Sequence, residues 1–232
     1  MQNLKLSSIF NKKVKNFVIL DIDSTLVTTF QRNQVILDQF CKNQQSSFPE
    51  EALLLSKAKC KLGDYGYYTA LERLEQKPSN TSFMNSLEEF WRKNFFSNDF
   101  LFADTPTEGA VQFVQKLEES NIPFVYLTGR HKESMWEGTL SSLEKLGFPI
   151  NKDILILKKD TSELDEIYKS KIIHSLKETY SDFCIWLIDN EPLILHQAIK
   201  DHRDVNLIWF DSCHSGKMQP PKDIPSINSF LL

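Results

Sequence analysis

Two aspartates separated by one residue follow a short apolar run near the start of the chain. Residues 17–20 predict a strand buried on both faces, and Asp21 and Asp23 come directly after it. On an extended chain the two side chains point the same way, about 6.5 Å apart. Acids this close repel each other, and a hard cation with oxygen ligands, hence Mg²⁺, relieves the repulsion. An ionised carboxylate beside such a cation can also attack an incoming phosphate. The alternative is an ordinary turn, with Asp23 as a turn or N-cap residue.

A second polar segment ends the strand that we predict over residues 124–127. Thr128 offers a hydroxyl there, and Gly129 leaves backbone amides accessible, which suits one phosphate oxygen. Arg130 adds a charge-assisted contact to substrate in this interpretation. The alternative is a strand end with a tight turn and an exposed arginine.

A lysine after the third predicted strand would offset carboxylate repulsion and bind phosphate as a point charge. Lys169 is preferred because it opens the apolar stripe of a helix predicted over residues 167–180, which places it at the active edge of the sheet. Lys158 closes the third strand and is the first alternative. The remaining candidates are Lys159 and Lys171.

A third acid ends another buried strand, predicted over residues 184–188. Asp189 at its tip can complete a cation site with Asp21, and Asn190 can join that site directly or through water. The alternative role for Asp189 is an N-cap of the helix predicted over residues 192–200.

Alternating helices and strands must position these side chains. From residue 106 onward the pattern predicts helices over 106–120, 134–146, 167–180 and 192–200, and strands over 124–127, 154–157, 184–188 and 205–210. Continuous apolar strands alternating with helices predict a Rossmann-like parallel α/β sheet with helices on both faces. Residues 211–232 are expected to form a surface tail that packs through Phe230 and Leu231.

More than a hundred residues separate the first two predicted strands, far more than a single crossover needs. Apolar stripes at 35–40, 52–62, 65–74 and 87–96 predict a helical insert whose aromatic residues pack a small bundle. Ser82 or Asn85 is the expected cap of its last helix. We therefore expect an α/β core over residues 1–28 and 104–232, and a helical domain over 29–103.

The composition is that of an ordinary globular protein of 232 residues, with 41% hydrophobic and 25% charged residues. A net charge of −4 argues against general nucleic-acid binding. The four cysteines show no metal or disulfide spacing and are expected to be free thiols. The lysines of residues 1–16 flank no apolar core, so neither a secretory signal nor a membrane span is expected, and the predicted location is the cytoplasm.

Taken together, these motifs resemble those of the haloacid dehalogenase (HAD) superfamily. Its first motif, Asp-x-Asp-x-Thr-Leu after an apolar strand, is matched by residues 21–26, and its second by Thr128. Lys169 stands for the third motif, and Asp189 with Asn190 for the fourth. Asn190 departs from the pattern, since many members have Asp there. The insert lies where the superfamily places its first type of cap domain. Residues 127–149 are also similar to the acid-phosphatase and nucleotidase-like branch.

The resemblance implies a Mg²⁺-dependent phosphatase. Asp21 would form an aspartyl-phosphate, Asp23 would act as acid and then as base, and Thr128 and Lys169 would hold phosphoryl oxygens. The implied metal ligands are Asp21, Asp23 through its backbone carbonyl, Asp189 and Asn190. The implied substrate is a small phosphorylated metabolite or nucleotide. A phosphomutase or phosphotransferase of the same superfamily, and a non-catalytic binding module on this fold, are the alternatives.

Overall fold

The computed structural model describes residues 3–11 and 13–232. Its centre is a six-stranded sheet in which all neighbouring strands are parallel, with the order β5-β4-β1-β6-β7-β8. These strands are β1 (Asn16–Leu20), β4 (Phe124–His131), β5 (Leu155–Lys158), β6 (Cys184–Asp189), β7 (Asn206–Phe210) and β8 (Ser226–Ile227). The predicted parallel sheet is confirmed, with β1 between β4 and β6 at its centre.

Helices cover both faces of the sheet, as predicted. Because side chains alternate along a strand, Val18 and Leu20 of β1 enter one hydrophobic cluster and Phe17 and Ile19 enter another. The first cluster lies under α1 (Asn3–Ile9), α6 (Ala110–Glu119) and α7 (Lys132–Lys145). The second lies under α8 (Asp165–Thr179) and α9 (Pro192–Asp201).

A helical insert separates β1 from β4. It contains α2 (Phe30–Gln44), α3 (Pro49–Leu55), α4 (Tyr68–Glu72) and α5 (Thr81–Phe95), followed by a 3-10 turn, Leu101–Ala103. Of the aromatic residues predicted to pack this bundle, Phe83, Phe90 and Trp91 do so, in a cluster separate from those of the sheet, whereas Phe95 and Phe96 lie outside that cluster. Two short antiparallel strands, β2 (Val27–Thr28) and β3 (Thr105–Pro106), pair the chain entering the insert with the chain leaving it.

Several boundaries differ from the prediction for local reasons. Helix α5 is capped by Asn80, whose side chain accepts the Phe83 N–H, rather than by Ser82 or Asn85. Helix α6 begins at Ala110, because Pro106 belongs to β3 and the chain turns at Gly109 with φ +77°. A side chain at Gly109 would bring its Cβ to 2.7 Å from the Phe230 backbone, so only glycine fits.

Both ends of the chain carry structure that the sequence did not predict. Residues 211–232 were expected to be a surface tail that packs through Phe230, and Phe230 is fully buried, stacked on Phe210. The tail also contains β8, which extends the sheet and was not predicted. Leu231, expected to pack with Phe230, is half exposed. Near the other end, Leu6 and Ile9 of α1 join the core. Lys12, one of the lysines of residues 1–16, lies outside the described residues.

All four cysteines are free, as expected. Among the described residues, none of the helices is both long and apolar enough to cross a bilayer.

Candidate active site

Two buried aspartates meet one buried lysine where β1 and β6 end. The ammonium of Lys169 donates to Asp21 Oδ1 at 2.6 Å and to Asp189 Oδ2 at 2.7 Å. Parallel pairing of β1 with β6 places the two acids side by side, since Leu20 is opposite Ile188. The three side chains line a cavity of about 240 Å³ that is open to solvent. The sequence-predicted acids and the preferred lysine are therefore brought together.

The loop after β1 fixes the Asp21 carboxylate from its other side. Thr25 donates its hydroxyl to Asp21 Oδ2 at 2.8 Å. The loop turns tightly through Ser24, a non-glycine residue with φ +60°, while three successive amides donate to the Ile22 carbonyl. Ser212 donates to the Ser24 carbonyl and helps to hold this uncommon conformation. One Asp21 oxygen is thus bound by Lys169 and the other by Thr25.

Lys158, the alternative lysine, has other partners. Its ammonium is bound by the Asp165 carboxylate and by the Glu163 carbonyl, the latter at 3.1 Å. The sequence did not decide between the two lysines, because Lys158 ends the strand before the helix and Lys169 lies near the start of that helix. The structure brings Lys169 to Asp21, because the fifth position of α8 faces the sheet whereas Lys158 stays at the end of β5.

The segment 128–130 lies at the edge of the same cavity. Thr128 is buried, and its hydroxyl oxygen accepts the Arg130 N–H at 3.1 Å, which leaves its own hydrogen able to donate. A Cβ at Gly129 would lie 2.7 Å from an Asp165 side-chain oxygen, so Asp165 would have to move. Strand β4 continues to His131 with a shifted register, so it is longer than the predicted 124–127.

Arg130 does not extend toward solvent. Its guanidinium holds Asp23 in a two-pronged contact at 2.7 and 2.9 Å, and it also donates to Asp104 and Thr139. Arg32, from the first turn of α2, donates to Asp23 at 2.8 Å and binds Asp104 with two of its nitrogens. Burial opposes ionisation of Asp23, but Arg130 and Arg32 outweigh it and hold the pKa of this carboxyl well below its usual range.

The pKa values of the two acids around Lys169 are shifted in the opposite direction to that of Asp23. Burial, reinforced by the Asp189 carboxylate and only partly offset by Lys169, raises the pKa of Asp21 to about 7. Burial likewise raises the pKa of Asp189, even though Lys169 opposes it. Burial alone would lower the pKa of Lys169, but the two carboxylates raise it. One ammonium therefore does not neutralise the two acids, and a further positive charge is favoured here.

The donor chemistry suits a hard cation. Asp21 and Asp189 supply carboxylate oxygens, and the Asn190 amide oxygen lies 3.3 Å from the Thr25 hydroxyl that binds Asp21. Asn190 is oriented by its amide nitrogen, which donates to the Cys213 carbonyl at 2.6 Å. The described residues contain no group of three or more His, Cys, Asp or Glu arranged as a metal site. With two acids and an amide oxygen, the set fits Mg²⁺, which also takes carbonyl and water ligands.

The raised pKa of Asp21 predicts how stability depends on pH in the absence of metal. Folded protein keeps a proton on Asp21 up to about pH 7, whereas the unfolded chain releases it near pH 3.8. Between these values the folded state binds more protons, so the free energy of unfolding falls as pH rises. In EDTA we expect the thermal midpoint to fall between pH 5 and pH 7, and to fall less in Asp21→Asn. Identical slopes in both proteins would contradict the raised pKa.

Aromatic side chains of the insert line the same cavity. They are Tyr65, Tyr68, Trp91, Phe95 and Phe96, and about half of the Tyr65 surface is exposed. Tyr65 belongs to a loop that the buried Asp64 ties down by accepting both a backbone amide and the Arg73 guanidinium. The insert therefore contributes an apolar, aromatic wall to the cavity that contains Asp21.

Three residues of the site had no assigned role in the sequence. Thr25 stands within the Asp-x-Asp-x-Thr-Leu segment, and its position four residues after Asp21 was the available signal. Arg32 and Asp104 gave none, because each is a single charged residue in an unremarkable segment and they lie 72 residues apart.

Part of the chain matches a model of a known protein family. Residues 80–188, just under half of the chain, match the family model described as HAD superfamily, subfamily IIIB (acid phosphatase). That match extends from α5 to β6 and includes Thr128 and Lys169. No curated protein matches the sequence.

Solved structures with low sequence identity share the fold. CbbY from Rhodobacter sphaeroides, solved with xylulose-(1,5)bisphosphate, has a TM-score of 0.52 at 13% identity, over 94% of this chain and 95% of that one. A HAD-superfamily hydrolase from Ehrlichia chaffeensis has a TM-score of 0.50 at 15% identity, over 92% and 91%. A HAD hydrolase from Entamoeba histolytica gives 0.50 at 16% identity, over 93% of each chain. The chain thus shares the fold of HAD-superfamily hydrolases, and residues 80–188 are similar to the subfamily IIIB acid-phosphatase domain.

Proposed function

We propose that the protein is a Mg²⁺-dependent phosphatase that hydrolyses a small phosphomonoester through an aspartyl-phosphate intermediate. The observation that carries this proposal is the Lys169 ammonium shared by Asp21 and Asp189 inside a solvent-open cavity. An isolated structural ion pair would need only one acid, whereas here two carboxylates share one ammonium. Burial raises the pKa of both carboxyls, and a bound cation would favour their ionised forms.

In the first half of the reaction, one oxygen of Asp21 attacks phosphorus and the ester bond to the leaving oxygen breaks. Lys169 and Thr25 hold Asp21 in position for the attack, and the Thr128 hydroxyl and Lys169 donate to phosphoryl oxygens. When bound by Asp21, Asp189, Asn190 and the Asp23 carbonyl, Mg²⁺ offsets the repulsion between the carboxylates and the phosphate.

In the second half, water attacks the aspartyl-phosphate, the bond from phosphorus to Asp21 breaks, and inorganic phosphate leaves. Asp23 takes the proton from that water, having given one to the leaving oxygen in the first half. The arginines beside Asp23 favour its carboxylate form, which is the form that accepts a proton from water. Proton donation to the leaving oxygen in the first half instead needs the protonated form of Asp23, which the same arginines disfavour.

The helical insert would act as a cap that covers the site and selects the substrate. Its aromatic wall shares the cavity with Asp21 and Lys169, which supports apolar contact with the leaving group and exclusion of water during the first half. The substrate class we propose is a small phosphorylated metabolite or nucleotide. The free cysteines are compatible with a reducing compartment, and we propose the cytoplasm as the location.

Metal removal tests the proposal directly. We expect hydrolysis of p-nitrophenyl phosphate by the purified protein to disappear after dialysis against EDTA and to return with added Mg²⁺, because the two acids repel phosphate without a cation. Thermal midpoints measured in parallel should rise with Mg²⁺ as the ion binds the folded state. Full turnover in thoroughly chelated protein would remove the metal from the proposal.

A further inference from the structure

Four charged side chains beside the catalytic acids form a closed ring. Asp23 is bound by Arg32 and Arg130, and both arginines are in turn bound by Asp104. We call these four residues the charge ring. The side chains of Arg32 and Asp104 are fully buried, and that of Arg130 is 2% exposed, whereas that of Asp23 is 29% exposed and reaches the cavity. Asp23 is therefore the most exposed member of the ring in the cavity, which Arg32 and Arg130 also line.

The ring is built from both connections of the insert. Arg32 lies in the first turn of α2, just after β2, and Asp104 directly precedes β3. The pairing of β2 with β3 brings them together, and hydroxyls of Thr28 and Thr105 lie 2.7 Å apart across that pair. Phe95, at the end of the insert's last helix, packs its ring 4.6 Å from the Arg32 guanidinium carbon. The position of Arg32 is thus fixed by the first and last helices of the insert.

Arg32 and Asp104 are poorly placed to bind substrate themselves. Arg32 has no exposed surface, and its donors go to Asp23, Asp104 and the Phe95 carbonyl. Asp104 accepts only from the two arginines among the contacts that the described residues give it through its side chain. Their effect on chemistry must therefore pass through the orientation of Asp23.

We propose that Arg32 and Asp104 are positioning residues for Asp23. Asp104 braces the two arginines, the arginines hold the Asp23 carboxylate in a single orientation, and Arg32 ties that orientation to the seating of the insert. This inference rests on the proposed function, because it assigns to the ring the placement of the group that protonates the leaving oxygen. It predicts a defect that depends on the leaving group rather than a general loss of activity.

Two substrates with different leaving groups test this role. p-Nitrophenolate leaves readily without a proton, whereas the alkoxide of glycerol phosphate needs one. For Arg32→Met and Asp104→Asn we expect kcat/KM on glycerol phosphate to fall by about 10²-fold, as a misplaced catalytic group typically costs. We use kcat/KM because it reports the first half of the reaction, whereas kcat also contains the second half, in which Asp23 acts on water whatever the substrate. On p-nitrophenyl phosphate kcat/KM should fall less than about threefold. Arg32→Lys, which keeps the charge but not the fork of donors, should fall between wild type and Arg32→Met on glycerol phosphate.

The matched control is Lys177→Met, which breaks the ion pair with Asp204 away from the cavity and should leave the ratio of the two kcat/KM values at its wild-type value. Equal losses on both substrates, or a raised KM with unchanged kcat, would overturn the positioning role. If Arg32→Met fails to fold, the ratio measured with Arg32→Lys decides, and a wild-type ratio there overturns the proposal. Wild-type protein that hydrolyses neither substrate with Mg²⁺ would instead refute the proposed phosphatase function.

Discussion

Replacing Asp21 by asparagine is expected to abolish phosphomonoester hydrolysis while leaving the protein folded. Asp21 is the carboxylate at the tip of the central strand, bound by Lys169 on one oxygen and by Thr25 on the other. An amide of the same shape keeps the packing but is a far weaker nucleophile, so kcat on p-nitrophenyl phosphate should fall by about 10³-fold or more. Steady-state rates with Mg²⁺ measure this loss.

The variant carries its own folding control. Ionised Asp21 is unfavourable in the metal-free protein at pH 8, since burial raises its pKa to about 7, and the neutral amide removes that penalty. We therefore expect Asp21→Asn in EDTA at pH 8 to melt no lower than wild type, so that lost activity cannot be ascribed to unfolding. Asp153→Asn, an exposed acid outside the cavity, is the matched variant and should keep full activity. Near-wild-type turnover by Asp21→Asn would show that the nucleophile is another residue.

Removing the Lys169 ammonium is expected to have the next largest effect. Lys169→Ala leaves Asp21 and Asp189 as neighbouring acids without their shared cation and deprives the phosphate of a donor. We expect kcat to fall by about 10²-fold or more, the usual cost of one preorganised donor. Because Asp21 and Asp189 then repel each other, the variant should also gain more thermal stability from Mg²⁺ than wild type does.

Lys158→Ala is the control for this prediction. Lys158 is also buried and also binds a carboxylate, but its partner is Asp165 rather than Asp21. Lys158→Ala should lower the stability of the protein, as Lys169→Ala does, but its loss of kcat should be much smaller. A larger catalytic defect in Lys158→Ala than in Lys169→Ala would reverse the assignment of the lysine.

Local patterns in the sequence were sufficient for the sheet and for the acids at its edge. Apolar runs that end in Asp21, Thr128 and Asp189 have few structural alternatives, because a buried strand needs continuous apolar residues and its carboxyl end needs polar ones. Lys169 was also accessible to this reasoning, since helical periodicity predicted its place in α8. Strand β8 could not be predicted, because its two residues are too few for any period. The packing of Phe230 was predicted, but its partners Phe113 and Phe210 were not.

What the sequence by itself determined was the order of elements and the types of residue at the carboxyl edge of the sheet. Only the tertiary structure decided where the charged groups point. Arg130 was predicted to contact the substrate from the strand end; it lines the cavity, and its guanidinium binds Asp23, 107 residues away in sequence. Arg32 and Asp104 become a pair because β2 and β3 join the two connections of the insert. A charge that is buried away from water needs an oppositely charged partner. Which residue becomes that partner depends on the tertiary structure, because only folding brings distant residues together.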